Sequence, residues 1–173
     1  MKKNSNLPAS DVSRMPHQTA FNLYKASPSL LKKINTLYGL LLQGKRKYEQ
    51  IATITSDRDL RRTIISLALE SNQYARELSS LIQTLGGISL DEKTDDPELR
   101  VETNAFEDEN EILNFCMANE MRMVKAYHEI LNDSCLYEGL RSMFHYQLNG
   151  LLCTFVKVKQ LNSLSLHYSS VLS

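Results

Sequence analysis

Glycine and proline are scarce in this chain of 173 residues, at six and four, so loops are few and long uninterrupted elements are expected. Cysteine is scarce too. Cys116, Cys135 and Cys153 are an odd number at unrelated spacings with no Cys-x-x-Cys pair, which is no disulfide framework. Each falls in a helical apolar pattern, where cysteine behaves as a small buried hydrophobe. Charge of one sign is missing: 20 Lys+Arg stand against 20 Asp+Glu, whereas a dedicated nucleic-acid binder normally carries a basic surplus. No run approaches the roughly 18 apolar residues of a membrane span. The opening MKKNSNLPASDVSRMPHQ has two lysines but no apolar stretch of the signal-peptide kind, and a reducing cytoplasm is the expected compartment. There is no GxGxxG, P-loop, GxSxG or HExxH, and no acyl- or phosphoryl-transfer constellation can be assembled.

What the chain does contain is apolar periodicity. Apolar residues make up 42%, too many for wholesale disorder, and the length suits one domain that folds without metal or disulfide. Residues 1–28, interrupted by Pro8, Pro16 and Pro28, read as a polar tail with one short helix near Ala20 to Lys25. Residues 29–162 read as four helices. The first, about 29–55, opens with Ser27 as cap and Pro28 in the first turn and carries the seam Leu30, Ile34, Leu37, Leu41, Tyr48 and Ile51. The second, about 57–85, starts near Ser56 and Asp57, runs through Leu60, Ile64, Leu67, Ser71, Tyr74, Leu78, Leu81 and Leu85, and stops at Gly86 and Gly87.

Residues 88–111 hold ten acids against Lys93 and Arg100. They read as a solvated link whose last acids favour the next helix N-terminus, and their spacing matches no EF-hand. The third helix, about 107–131, has the seam Leu113, Cys116, Glu120, Met123, Tyr127 and Ile130, and a tight turn at Asn132 to Ser134 follows. The fourth, about 135–161, has Leu140, Phe144, Gln147, Leu151, Phe155, Val158 and Leu161, and residues 163–173 read as a frayed C-terminal tail. Two short turns and one long link give an antiparallel four-helix bundle. The link is long enough for the single crossover of ferritin-like folds, with a plain up-down bundle as the alternative topology.

Helix midpoints place Gln43, Glu70, Gln73, Glu120, Gln147 and Asn149 near one level. Glu120 and Gln147 sit on apolar seams, and a carboxylate there costs several kcal/mol unless paired, hydrogen-bonded, protonated or bound to metal. Bundle cores build di-metal carboxylate sites from Glu-x-x-His on two helices. This chain has no Glu-x-x-His: three residues before His17, His128, His145 and His167 stand Arg14, Lys125, Ser142 and Leu164. Two readings remain. In one, the layer is structural, with Glu120 satisfied by Gln147 and the hydroxyls of Tyr48, Tyr74 or Tyr127, and no cofactor is needed. In the other, the chain is a metal-binding or redox protein in which one weakly bound divalent metal ion sits near Glu70 and Glu120, with Gln73 and Gln147 as neighbours. His145 lies off the seam and is expected at the surface. Lys45, Arg46 and Lys47 read as a solvated helix face.

The strings YEQIA (Tyr48 to Ala52), LALESNQYARELSSLIQTLGG (Leu67 to Gly87), CMANEMRMVKAYHEIL (Cys116 to Leu131) and YQLNGLL (Tyr146 to Leu152) resemble a bacterial ferritin-like four-helix-bundle family catalogued as a domain of unknown function, distantly related to the rubrerythrin and bacterioferritin group. The resemblance covers about residues 30–162. It implies a ferritin-like fold and a bacterial cytoplasmic protein without an established activity. Glu70 and Glu120 match glutamates that the family places in its helical core. The chain departs from the family pattern around Gly150 and Phe155, where that pattern has an acidic residue and a histidine, so half of a di-metal shell is missing.

The third and fourth helices carry apolar residues beyond their seams: Met117, Met121 and Val124 on the third, Met143, Leu148, Leu152 and Val156 on the fourth. A bundle helix needs an apolar face of roughly 100°, and the surplus points to a second buried surface. A homodimer packed through helices 3 and 4 is the expected use, and methionine-rich surface also suits a protein partner. The tail or the acidic link covering these faces is the alternative.

Overall fold

Ser27 starts the first helix. Its side chain accepts from the Leu30 N–H at 3.1 Å, and Pro28 takes the first helical position, where no N–H is needed. In the computed structural model residues 26–89 and 109–171 are described, with side chains for 26–89 and 111–161. The N-terminal tail, its expected short helix and most of the acidic link lie outside the described residues. Within them the protein is all-α, with α1 (Pro28–Ile54), α2 (Arg58–Thr84), α3 (Glu109–Leu131) and α4 (Glu138–Val171).

Three residues join α1 to α2. The Thr55 N–H and hydroxyl both bond the Ile51 carbonyl, at 3.0 and 2.7 Å, and Arg61 Nε donates to the Thr55 carbonyl at 2.8 Å. These bonds satisfy carbonyls that every helix end leaves open. Asp57, rather than Ser56, caps α2, accepting from the Leu60 N–H at 2.7 Å; a carboxylate there also meets the positive end of the helix dipole. At the other end Gly86 takes φ +78°, Gly87 N–H bonds the Ile82 carbonyl at 2.8 Å and Gly86 N–H the Gln83 carbonyl at 3.0 Å. This is the six-to-one and five-to-two pattern that a left-handed glycine permits.

The turn between α3 and α4 is longer than expected, and α4 starts at Glu138, not near Cys135. Asp133 explains it. Its Oδ1 accepts from the Cys135 N–H at 2.9 Å, and its Oδ2 takes the Lys33 ammonium of α1 at 2.6 Å. A side chain that bonds the backbone two residues on favours a turn over a helix. Arg141 then reaches back to the Leu131 and Leu136 carbonyls. Cys135 is therefore exposed in a turn, and Cys153 is exposed on α4. Of the three cysteines only Cys116 is buried as expected, and burial pushes its thiol up to about 12. At its far end α4 continues ten residues past the expected stop, to Val171. No glycine or proline follows Gly150 in the sequence, so nothing there breaks a helix.

α1 lies against α2 and α3, and α4 lies against α2 and α3. The six seam residues of α1 are fully buried. On α2 the last turn rotates slightly, so that Ile82 is buried and Leu81 half-buried. On α4 Leu148 joins the core, leaving Leu152 half-buried and Val156 exposed. Lys47 is buried among the α1 residues rather than solvated; an aliphatic stem lets lysine line apolar surface in this way.

Candidate functional site

Polar side chains do meet between neighbouring helices, but as separate pairs spread along the bundle and not at one level: their α4 members Gln147, Thr154 and Lys159 span roughly 18 Å of helix. Fully buried Gln147 of α4 is the most connected member. Its amide nitrogen donates to Glu77 Oε2 of α2 at 2.7 Å, and its oxygen accepts from the Tyr127 hydroxyl of α3 at 3.3 Å. Glu77 Oε1 accepts in turn from exposed Gln73 at 3.0 Å. Gln73 thus faces the outside and supports Glu77 from one turn away. A buried amide with both ends bonded escapes the cost of an orphaned polar group.

Glu120 is not a core residue. Its side chain is 13% exposed and meets Lys159 of α4 at 2.7 Å. The core position belongs to Asn119, 3% exposed, whose amide donates to the Tyr48 hydroxyl of α1 at 2.6 Å. Glu120 is therefore satisfied by a lysine, where Gln147 and tyrosine hydroxyls were expected. The physical reason is desolvation. A neutral amide with one good partner is cheaper to bury than a carboxylate, and one residue of rotation lets Glu120 reach a cation at the bundle edge. Burial raises the Tyr48 and Tyr127 hydroxyls far above their ordinary values, so both stay protonated, Tyr48 accepting from Asn119 and Tyr127 donating to Gln147.

Glu70 lies on the α2–α4 face. Its Oε1 accepts from the Thr154 hydroxyl at 2.8 Å, while Oε2 is buried without a hydrogen-bond partner. Burial pushes its carboxyl up, against smaller opposing effects of Thr154 and Lys157. The neighbouring Ser71 is fully buried with its hydroxyl unpartnered. Tyr74 completes this face. Burial and the Glu70 carboxylate push its hydroxyl up to about 12. The hydroxyl lies so close to Gly150 that a Cβ there would sit 2.3 Å away.

Glu70 and Glu120 thus have different partners on different faces, Thr154 for one and Lys159 for the other. Among the described residues no group of three or more His, Cys, Asp or Glu side chains is placed to hold a metal ion. His128 and His145 are exposed. Sequence reasoning located Gln147 and Glu70 but missed Asn119, Glu77 and Thr154. Asn119 stands three residues after Cys116 and four before Met123, a signal as good as that of Glu120.

No protein-family model matches the chain, and comparison with curated proteins finds no match. Among the described residues no helix is long and apolar enough to cross a membrane.

Proposed function

We propose that this is a ferritin-like bundle of the bacterial cytoplasm that has lost a di-iron site and works by association, first with a second copy of itself. Support for the ferritin-like course comes from cross-helix pairs. Lys33 meets Asp133 while Tyr48 meets Asn119, so residue numbers fall along α3 as they rise along α1. Glu70 meets Thr154 while Glu77 meets Gln147, the same relation for α2 and α4. With α1 and α2 joined by a three-residue turn, these pairs support a parallel course of α2 and α3, and a parallel pair needs a long crossover.

The observation that carries the association reading is apolar surface. Met117 and Met121 of α3 are 48% and 73% exposed, and Val156 of α4 is 48% exposed. Helical spacing puts all three on the side of the Glu120–Lys159 pair that faces away from α1 and α2. Exposed methionine is adaptable and oxidisable, and soluble monomers rarely group it. Sedimentation equilibrium between 1 and 50 micromolar tests the reading. A dimer that Met121→Glu converts to monomer is the expected result, and a monomer throughout overturns it.

One observation favours a second reading, a single weakly held divalent ion: the unpartnered Glu70 Oε2. Calorimetric titration with Fe(II), Mn(II) and Zn(II) decides it. Micromolar binding abolished by Glu70→Gln and kept by Glu120→Gln supports an ion site at Glu70. Absent heat, or heat unchanged by Glu70→Gln, leaves these pairs as packing.

A further inference from the structure

The outward face of α2 carries Arg58, Arg62, Ile65, Leu69 and Arg76, all exposed. Their spacing of four, three, four and seven residues keeps them on one stripe. Ile65 and Leu69 are 42% and 64% exposed, and Asp59 meets Arg62 at 3.6 Å with both groups well solvated, a weak pair. This is an apolar strip between arginines, and it is unlike the polar outer stripe of α1.

Five described residues, 85–89, follow α2. Gly86 and Gly87 turn it, and Ser89 then stands beside α2, its hydroxyl oxygen accepting from Ser79 at 3.3 Å. By Ser89 the chain has thus doubled back from the end of α2 to the level of Ser79. It must arrive at Glu109, and the start of α3 lies at the Arg58 end, because the Phe115 ring meets that of Tyr48 at 5.9 Å. The course from the level of Ser79 to that of Arg58 is roughly 30 Å at 1.5 Å per residue, and residues 90–108 can reach roughly 60 Å. That segment holds eight acids against Lys93 and Arg100, together with Leu90, Leu99, Val101 and Phe106.

We propose that the outward face of α2 is a docking surface for residues 90–108 of the same chain, with acids against Arg58, Arg62 and Arg76 and apolar side chains over Ile65 and Leu69. The inference rests on the parallel course of α2 and α3. Its consequence is that the neutral whole is a basic helical face masked by an acidic segment, so that anything competing for the arginines must displace that segment.

The test uses the full chain and a glutamate-specific protease, following cuts after Glu98 and Glu102 by mass. Arg62→Glu combined with Arg76→Glu is expected to accelerate these cuts at least tenfold at low salt, with helix content unchanged. Lys157→Glu on α4 is the control and leaves the rate alone. Equal rates in wild type and the double variant overturn the proposal. So does protection that grows with protein concentration, which assigns the segment to another copy. Spin labels at Gln83 and Asn114, with Cys135 and Cys153 replaced by serine, test the course separately. A separation of about 30 Å supports parallel helices, and one under about 15 Å overturns that course whatever the protease shows.

Discussion

Tyr74 and Gly150 share one space. Glycine in mid-helix costs roughly 1 kcal/mol against alanine, and here its absent side chain is where the Tyr74 hydroxyl lies. Gly150→Ala therefore destabilises the protein by about 1–3 kcal/mol, as overpacking does. In a Tyr74→Phe background the hydroxyl is gone and the nearest remaining ring atom stands 3.4 Å from the new Cβ. There the same substitution becomes neutral or stabilising by up to about 1 kcal/mol, and a urea-unfolding double-mutant cycle measures the sign change. Glu70, one turn away, makes a prediction in pH. Its carboxyl is raised above 4.5 mainly by burial. A carboxyl raised on folding stabilises fully below its unfolded value, and that contribution is lost as pH rises through the folded value. Glu70→Gln keeps an acceptor for Thr154 and removes the buried charge. Its melting temperature is expected above wild type at pH 7 to 8, with the gap closing towards pH 4. A variant that melts lower at neutral pH would mean that Thr154 and Lys157 outweigh burial.

The helices themselves were legible because their apolar steps repeat for about five turns or more, and a repeat that long fits one secondary structure only. The Ser27–Pro28 start and the Gly86–Gly87 stop are local chemistry, visible as residue types. Glu120 and Asn119 show where legibility ends. Both fit the three-four rhythm between Cys116 and Met123, and only Lys159, a residue on another helix, decides which one turns inward. Cys135 was misplaced for a related reason: the carboxylate that makes its segment a turn is itself held by Lys33, distant in sequence. That ion pair ties the α3–α4 turn to α1 and titrates in the opposite sense to Glu70. Lys33 and the Cys135 N–H hold the Asp133 carboxyl below 3.8. Its contribution is present above that value and lost as pH falls through the lowered one. Asp133→Asn keeps the turn acceptor but loses the ion pair, so it costs about 0.5–1 kcal/mol at pH 7. Urea midpoints measured at pH 7 and pH 3 are expected to differ from wild type at the first and by less at the second.

For the molecule as a whole, the decisive relation is between α2 and α3. A bundle in which consecutive helices are all neighbours can be closed with short loops everywhere, as two of the three connections here are. A bundle with one parallel consecutive pair cannot, because the chain has to return along its length. Cross-helix pairs on both flanks, Lys33 with Asp133 and Gln147 with Glu77, support the second, proposed arrangement, in which the end of α2 and the start of α3 lie far apart. Replacing residues 90–108 by five glycines leaves a connection of about 20 Å at full stretch, short of the roughly 30 Å it must span. The shortened chain is expected to lose cooperative thermal unfolding, while replacing the same residues by a flexible Gly-Ser segment of unchanged length retains it, because lengthening a loop costs little entropy once it can reach. If the five-glycine chain unfolds cooperatively near the wild-type temperature, α2 and α3 meet end to end. The crossover, the masked α2 face and the ferritin-like reading then fall together.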